Sequence, residues 1–518
     1  MLKPRSPQES FYGSYLYDRI VPVDHLLRKF NEVVDFSFAG EILKDRYNPA
    51  IGRPAEDPEF MLRLCLLQYL YGDSDRQVVE NARLNLAYKY FLGLAVDAEV
   101  PDYTTVSYFR AKRLGEEKFR QVFDQVVGQC IDKGLVKGKR QIIDSTPVFA
   151  NISLSSLAGL VRKCRENVLK TVAKQDTKMA EELGAKELQN ATPVKFASSE
   201  EALQKEVEAA GTLLDKVTAE LEARKIRPTE ELQKDLGLLE KAVADRAEHA
   251  KDKLISPVDP DARTGKKTGT KWEGYKAHIV VEEESGIITA VGTTPANATD
   301  GSQLKPLLEE QEKVHSLTPQ EVTADRAYDW GENLESLAGK HTLANIALTK
   351  PGNHRTGVDF AVDDFLYDPE NVKLMCPAGH ISESCYRVVL TNYRRTNKPG
   401  YAFQFKASLC NACPLKPKCV KNSEGRRIHI SCYEPYFRMA RERMATEEGK
   451  QAYRNRYKVE QKIADLTRYC GLRRCRYRGL GRAGIHTLLA TTVCNIKRMV
   501  KLLWGKPDSY YLEAPVAG

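Results

Sequence analysis

The order of strand-like and helical segments between residues 141 and 348 is the feature that most restricts the fold of this chain. An apolar run ends at Asp144, and much later two runs rich in β-branched residues flank the turn Ser285-Gly286. The predicted strands are residues 141–144, 274–282, 287–293, 321–324 and 345–348, and the predicted helices are residues 303–314 and 332–338. Antiparallel strands thus give way to alternating strands and helices. This order predicts a mixed α/β sheet, although other pairings of the same elements stay open.

Three acidic residues occupy positions from which they can meet. Asp144 and Asp325 each end a predicted strand, and Glu460 lies in a predicted helix. A lone aspartate at a strand end is usually a cap or a turn residue, so the argument rests on the combination. Together the three carboxylates offer the hard oxygen ligands that Mg²⁺ or Mn²⁺ prefers, with two metals held in one site.

The segments around these carboxylates resemble the motifs of the DDE transposases of bacterial insertion sequences, and the resemblance covers nearly the whole chain. The matching pieces are Ile143-Asp144-Ser145-Thr146-Pro147-Val148, Thr323-Ala324-Asp325-Arg326-Ala327-Tyr328-Asp329 and the Tyr-x2-Arg-x3-Glu signature at Tyr453, Arg456 and Glu460. Many relatives carry a lysine seven residues after the glutamate, whereas this chain has Thr467 there, with Arg468 beside it.

The resemblance implies an RNase H-like catalytic core that acts on double-stranded DNA. Such an enzyme binds the ends of its element, cleaves them and joins the 3′-hydroxyl strands to target DNA, as a homodimer or a larger synaptic complex. It also implies that Asp144 bridges two Mg²⁺ or Mn²⁺ ions while Asp325 and Glu460 hold one each. The rival hypotheses are a metal-dependent nuclease without strand transfer and a catalytically idle DNA-binding descendant of a transposase.

The spacing of the signature residues has a geometric consequence. On one helix advancing about 100° per residue, Tyr453, Arg456 and Glu460 lie within about 60° of one another and face the same site. Arg456 can then bind a phosphate oxygen near the cut, and Tyr453 can hydrogen-bond the same backbone. The alternative is an amphipathic helix in which the tyrosine packs and the arginine pairs with Glu460.

Residues 1–136 read as a helical N-terminal domain. Asp57 before Pro58, the capping box from Ser74 to Gln77, and Asp102 mark the starts of three helices. The third helix is predicted to expose Arg110, Lys112 and Arg113 and to bind DNA. A helical bundle with an ordinary solvated basic face is the alternative.

Further basic residues are predicted to contact DNA phosphates near the carboxylates. Two of them lie close to the predicted strands, and the others follow Glu460 in a segment with few acidic partners. They are Lys276, Arg326, Arg468, Arg473, Arg474, Arg476 and Arg478. Phosphate contacts of this kind give affinity without sequence preference. A simply solvated arginine face is the alternative.

Two insertions interrupt the predicted sheet. Residues 155–256 are rich in Lys, Glu and Ala and carry apolar residues, mostly leucine and valine, at alternating steps of four and three, which predicts an antiparallel helical hairpin. An arm that touches DNA or a second protomer is one reading of this hairpin, and a solvated hairpin without chemistry is the favoured one.

The second insertion, residues 352–432, is rich in cysteine. We expect Cys376, Cys410, Cys413 and Cys419 to form a zinc-ribbon-like structural Zn²⁺ site, because a Cys-x2-Cys turn places two thiolates on one tetrahedral ion. His380, Cys385 and Cys432 are alternatives for the fourth ligand. Free thiols in a small β-rich insertion are the other interpretation.

The remaining residues complete the predicted domain plan. Residues 137–154, 257–351 and 433–505 form the catalytic domain, and residues 506–518 form a tail. The formal charge of +9 is modest for 518 residues and does not by itself indicate nucleic-acid binding. No apolar run approaches the roughly 20 residues of a membrane span, and the N-terminus lacks a secretory apolar core, so we expect a cytoplasmic, nucleoid-associated protein.

Overall fold

The computed structural model describes residues 11–48, 55–185, 200–247, 252–267, 269–348, 359–393 and 396–505. Within these residues a six-stranded sheet lies at the centre. Its strands are β1 (Arg140–Phe149), β2 (Arg263–Lys267), β3 (Thr270–Glu282), β4 (Ile288–Pro295), β5 (Glu321–Ala324) and β6 (Leu343–Ile346). The predicted mixed α/β architecture is confirmed, and the last strand begins two residues earlier than predicted.

The strand pairing changes from antiparallel to parallel across β1. Strand β3 is antiparallel to both β1 and β4. Strand β5 is parallel to both β1 and β6. The hairpin of β3 and β4 turns at Gly286, whose φ of +70° lies in the left-handed region that favours glycine.

The described chain before β1 is mainly helical. They are α1 (Phe11–Ile20), α2 (Leu26–Val33), α3 (Phe38–Leu43), α4 (Pro58–Tyr71), α5 (Asp75–Leu84), α6 (Leu86–Leu92), α7 (Tyr103–Tyr108), a π-helical turn (Phe109–Leu114) and α8 (Gly115–Asp132). The three predicted caps are confirmed, because Asp57, Ser74 and Asp102 each accept a backbone N–H of the helix that follows.

The N-terminal helices share one hydrophobic core with the central sheet. The long helix α20 (Leu480–Trp504) is buried along most of its length, which is the pattern of a helix enclosed on several sides. Phe123 of α8, Ile142 of β1 and Leu489 of α20 belong to the same buried cluster. The boundary near residue 136 therefore separates types of secondary structure, while the core continues across it.

The opposite face of the sheet is covered by helices that follow the strands. They are α13 (Leu304–His315), α14 (Gly331–Gly339) and α17 (Glu434–Ala445). The helices α18 (Glu447–Arg454) and α19 (Tyr457–Tyr469) follow in sequence, and α19 contributes Val459 and Leu466 to the core of the first face. Ile143, Val280 and Phe437 belong to the buried cluster on this face. The two faces place β1 in the middle of the molecule, with apolar layers on both sides.

The first insertion has a core of its own. Its helices are α9 (Leu157–Gln175), α10 (Thr177–Glu182), α11 (Glu200–Ala223) and α12 (Glu230–Ala247). The predicted hairpin is present as α11 and α12, and α9 packs against both. Val168, Leu213 and Leu239 meet in the resulting cluster.

The second insertion contains small sheets and two short helices. Its elements are β7 (Leu366–Asp368), β8 (Lys373–Met375), β9 (Ser384–Tyr393), β10 (Thr396–Gln404), α15 (Ala407–Ala412), α16 (Lys416–Cys419) and β11 (Arg427–Ser431). Phe403 and Ile430 are part of its small core. The predicted tail, residues 506–518, lies outside the described residues. Across the described chain, none of the helices has the length and apolar character needed to cross a membrane.

Candidate functional site

Asp144 and Asp325 lie on neighbouring strands. The parallel register of β1 and β5 pairs Ile143 with Ala324, so the two aspartates follow a matched pair. Asp144 is 5% exposed. Asp325 is half-buried, and its Oδ1 accepts the backbone N–H of Ala327 at 2.8 Å. The register therefore brings the two carboxylates to neighbouring strands, as expected. The prediction that Asp144 ends its strand is wrong, because β1 continues to Phe149 by pairing with β3.

Asp144 is largely shielded from solvent and lies among charged side chains. Burial raises the pKa of this carboxyl, and the charge of Asp325 raises it further. The nearby cations Lys267 and Arg456 and the backbone N–H of Ser145 oppose the shift. Lys267 Nζ lies 3.7 Å from Asp144 Oδ1, and Arg456 Nη1 lies 3.3 Å from Oδ2. Positive charge thus surrounds a desolvated carboxylate.

Arg456 joins Asp144 to Glu460. Its Nη2 lies 2.6 Å from Glu460 Oε1 while its Nη1 contacts Asp144. One planar guanidinium therefore holds carboxylates from a strand and from a helix at the same time. Glu460 is exposed, so its carboxylate faces solvent beside the buried aspartate.

The prediction of one continuous helix through the signature is wrong. Helix α18 ends at Arg454 and α19 begins at Tyr457, so Tyr453 and Glu460 belong to different helices. The junction has a physical cause, because the side chain of Asn455 donates to Glu283 Oε1 at 2.7 Å. Asparagine is a weak helix former that readily hydrogen-bonds outside its own helix.

Glu283 anchors this junction and was missed by the sequence analysis. Its side chain is 3% exposed, and its Oε1 also lies 3.0 Å from Lys458 Nζ. Asn455 and Lys458 flank Arg456, so one buried carboxylate fixes the segment that presents Arg456 to Asp144. The only sequence signal was three consecutive acidic residues, Glu282 to Glu284, at the end of an apolar strand, which usually indicates a turn.

Tyr328 and Lys267 were also missed as neighbours of the carboxylates. Burial and the charges of Asp144, Asp300 and Asp325 raise the pKa of Tyr328 well above its ordinary value. Its hydroxyl is buried and, within the described chain, makes no hydrogen bond of standard geometry, although Ser145 is near enough to lower that pKa. A buried hydroxyl without a hydrogen-bond partner beside carboxylates is typical of a site that accepts a bound ion, water or substrate.

The structure corrects the prediction for Arg110. This residue is 6% exposed, and its guanidinium binds both oxygens of Asp75 at 2.9 and 3.0 Å. It also lies 4.5 Å from the ring centroid of Tyr477. The prediction that Arg110 is exposed is wrong because the local turn is π-helical and rotates this side chain inward. Lys112 is exposed, and Arg113 is half-buried with its guanidinium 4.8 Å from the ring of Tyr47.

Two other predicted phosphate contacts are already paired inside the protein. Lys276 Nζ lies 2.8 Å from Asp300 Oδ1. Arg476 donates to the carbonyl of Asp73, and its guanidinium lies 4.8 Å from the ring of Tyr69. Arg476 is therefore not part of the predicted basic surface. It joins the final helical region to the N-terminal helices.

The other predicted phosphate contacts are on the surface. The exposed side chains are Arg326, Arg468, Arg473, Arg474 and Arg478. Of these, Arg478 also donates from Nε to the carbonyl of Asn151 at 3.0 Å. An exposed basic surface thus follows the helix that carries Glu460.

The four nominated cysteines line one small cavity in the second insertion. Cys376, Cys410, Cys413 and Cys419 meet there, together with His380. Burial raises the pKa of Cys419, and the other three thiols raise it further, so the four sulfurs are electrostatic neighbours. Cys385 lies apart, exposed on β9. In the part of the chain that the structure describes, no three His, Cys, Asp or Glu side chains are arranged to hold a metal ion.

Comparison with known families gives two matches. Residues 15–112 match a family described as a transposase domain (DUF772). Residues 375–500 match a family described as a transposase DDE domain. A comparison with curated proteins finds no match. The first segment contains Arg110 and Lys112, and the second contains Glu460 and the four nominated cysteines, whereas Asp144 and Asp325 lie between the two.

Proposed function

The two matched segments support an insertion-sequence DDE transposase, and from this premise we propose that the chain binds the terminal inverted repeats of its element. It cleaves the DNA there and transfers the freed 3′-hydroxyl strands to target DNA. The observation that carries the proposal is the guanidinium of Arg456, which contacts Asp144 and Glu460 at once, with Asp325 on the adjacent strand.

DDE transposases generally use divalent metals such as Mg²⁺, and the donor set of this chain fits such ions. Asp144, Asp325 and Glu460 offer hard carboxylate oxygens, and the unpaired hydroxyl of Tyr328 lies beside them. When bound, two such ions stabilise the charge on the attacking and leaving oxygens of a phosphodiester. Asp144 is the proposed shared ligand, with Asp325 and Glu460 holding one ion each.

The protein groups around the carboxylates have separate proposed tasks. The guanidinium of Arg456 donates to a phosphate oxygen of the bound strand, because its planar set of N–H groups matches the geometry of phosphate oxygens. Tyr453 supports the backbone of the bound strand from the preceding helix. The burial of Asp144 lowers the local dielectric constant, so charge interactions with this carboxylate are strong.

Exposed cations form the proposed DNA surface. Near the carboxylates and after Glu460 they are Arg326, Arg468, Arg473, Arg474 and Arg478. On the N-terminal helices Lys112 is exposed, and the half-buried Arg113 lies beside it. These contacts give affinity that falls with salt. We assign recognition of the element ends to the N-terminal helices, because phosphate contacts alone carry no sequence information.

The strand order supports an RNase H-like core. In sequence order the antiparallel set β1, β3 and β4 is followed by β5 and β6, which run parallel to β1. Because two ends must be joined in one event, the active form is a homodimer or a larger synaptic complex. It works on DNA of the nucleoid in the cytoplasm.

We assign a structural role to the Cys-rich insertion. Zn²⁺ bound by Cys376, Cys410, Cys413 and Cys419 would tie β8 to the two short helices, because all four thiols line the same cavity. Such an ion contributes to folding of the insertion and takes no part in DNA cleavage.

The experiment that tests the function uses labelled duplexes from the sequences flanking the gene, with Mg²⁺ or Mn²⁺. Wild type is compared with Asp144→Asn, Asp325→Asn and Glu460→Gln. Asp465→Asn is the matched control, because Asp465 lies on the same helix as Glu460 and is 54% exposed against 53% for Glu460. We expect strand-transfer products from wild type and the control, and loss of cleavage with retained DNA binding in the other three.

Other outcomes contradict the proposal in distinct ways. Cleavage without joined products identifies a nuclease. Tight binding without cleavage by wild type identifies an idle DNA-binding descendant. An active Asp144→Asn protein rules out the carboxylate assignment.

A further inference from the structure

The hairpin of β2 and β3 folds back toward Asp144. Thr270 and Ile279 lie nine positions apart on β3. Thr270 pairs with Lys267 of β2, and Ile279 pairs with Asp144 of β1. At about 3.3 Å per residue, a straight strand would separate these two positions by about 30 Å. The observed distance between Lys267 Nζ and Asp144 Oδ1 is 3.7 Å. Strand β3 must therefore turn back between the two positions.

Gly274 is the residue at which this turn occurs. Its φ is +147°, and an added Cβ would lie 2.3 Å from the carbonyl oxygen of Val148. Both β1, through Phe149, and β2, through Arg263, pair with this glycine. The positive φ and the close approach of the β1 backbone both require glycine.

The returning hairpin is held in shape by a tryptophan. The indole of Trp272 covers Gly265 so closely that an added Cβ would lie 2.3 Å from the ring. Its Nε1 donates to the carbonyl of Tyr275 at 3.1 Å. The side chain is 2% exposed, so the hairpin reaches the carboxylates as a packed arm.

The tip of this arm is basic and open to solvent. Lys266, Lys267 and Lys271 are exposed there. Lys267 also donates to the carbonyl of Ser145 at 3.3 Å. Its ion pair with Asp144 is long and its side chain is 45% exposed, and Asp144 keeps Arg456 as a second cation when Lys267 moves away.

We propose that the hairpin tip is a binding site for a backbone phosphate of the DNA strand that enters the carboxylate site, with Lys267 as its main contact. This inference rests on the proposed function. Before DNA binds, Lys267 neutralises Asp144. When DNA binds, a strand phosphate replaces Asp144 as the partner of Lys267, while Asp144 keeps its contact with Arg456. A divalent cation held by Asp144 would favour the same exchange. Lys266 and Lys271 add charge to the same tip.

The test is a methylphosphonate scan of a fluorescent end duplex, taken from the DNA flanking the gene and measured without divalent metal by anisotropy. Each duplex carries one neutral linkage. Wild type is compared with Lys267→Gln and Lys267→Arg, and with Lys305→Gln as a control, because Lys305 is a similarly exposed lysine on α13. Binding without metal keeps the measurement separate from cleavage.

We expect one linkage whose neutralisation weakens wild type several-fold and leaves Lys267→Gln unchanged. Lys267→Arg and Lys305→Gln should keep the wild-type response. The slope of log affinity against log salt should fall by about 1 in Lys267→Gln. That pattern identifies the phosphate that Lys267 contacts.

Contrary results separate the inference from the proposed function. If Lys267→Gln keeps the wild-type response at every linkage while wild type still cleaves and joins, the phosphate site is wrong and the proposed function stands. A variant that changes only the melting temperature assigns Lys267 a purely structural role. If wild type does not bind the end duplex, both proposals fail.

Discussion

Glu283 at the end of β3 and Lys458 in the first turn of α19 form an ion pair with 3.0 Å between Oε1 and Nζ. The same Oε1 accepts a hydrogen bond from Asn455. Glu283 thus holds residues on both sides of Arg456, which lies four residues before Glu460. A carboxylate that is 3% exposed needs such partners, because an unpaired buried charge is costly.

Reversing the charge of either partner should displace the helix that carries Glu460. We expect Glu283→Lys or Lys458→Glu to lower the cleavage rate by about 100-fold, since a shift of about 1 Å at a reacting group costs that much. The double reversal should recover a large part of the rate. The rate and its dependence on Mn²⁺ concentration are the quantities to measure.

Glu284→Lys is the control for this charge reversal. Glu284 is the next residue, is 50% exposed and pairs with Lys137 on the surface. It should leave the rate near that of wild type. An equal loss in the control, or a double variant no better than the single ones, would show that the ion pair does not position Glu460.

The buried ion pair of Arg110 and Asp75 predicts a contrast with Lys112. We expect Arg110→Ala to lower the free energy of unfolding by about 3 kcal/mol, because it leaves Asp75 without its bidentate partner. Lys112→Ala should change that energy by less than about 0.5 kcal/mol and reduce the salt dependence of DNA binding. Urea unfolding and anisotropy titrations measure the two effects. Equal stability of the two variants would contradict the structural role of Arg110.

The buried His486 predicts a loss of stability in mild acid. Burial lowers its pKa to about 4, and its Nδ1 lies 2.8 Å from Tyr69 Oη. Below pH 6.5 this histidine takes up a proton in the unfolded chain, whereas in the folded chain it stays neutral down to about pH 4. The free energy of unfolding should therefore fall by up to about 1.4 kcal/mol per pH unit across that window, while above pH 6.5 this contribution is constant.

His486→Gln isolates this contribution, because the glutamine does not titrate. Urea unfolding at pH 7.5, 6.5 and 5.5 should give a shallower pH dependence for the variant than for wild type. His278, whose pKa burial also lowers to about 4, stays in both proteins and cancels in the difference. Parallel pH profiles would show that His486 is not the source.

The cavity of the second insertion predicts bound zinc. Purified protein should contain about one Zn²⁺ per chain, and Cys410→Ser or Cys413→Ser should remove it and lower the melting temperature. Cys385→Ser is the control, since Cys385 is exposed on β9 away from the cavity. Metal analysis and thermal unfolding with a chelator measure the effect. Zinc-free protein with an unchanged melting temperature would refute the site.

Local patterns were enough to predict most of the elements, because their causes are local. The cap at Asp57, the capping box at Ser74 and the strand ending before Asp325 each depend on a few neighbouring residues. The neighbouring positions of Asp144 and Asp325 were expected from two predicted strands that each end in aspartate, although β1 continues past Asp144 to Phe149. Those features needed no knowledge of the distant chain.

The features that were missed depend on contacts between distant segments. Lys267 reaches Asp144 because β3 folds back at Gly274, and nothing in the spacing of the lysines indicates such a turn. The break before Tyr457 comes from Asn455 bonding to Glu283, which is 172 positions away in sequence. Arg110 is inward-facing because of a π-helical turn, whereas regular helical spacing would expose it.

The shared core of the N-terminal helices and α20 has a consequence for biosynthesis. Helices α1 to α8 leave the ribosome long before residues 480–504, which complete their core, have been made. Their apolar faces therefore stay uncovered until α20 has been made, in contrast to a domain that closes as it emerges. A product truncated before α20 would expose these faces to chaperones and proteases, so we expect the cell to clear it rapidly.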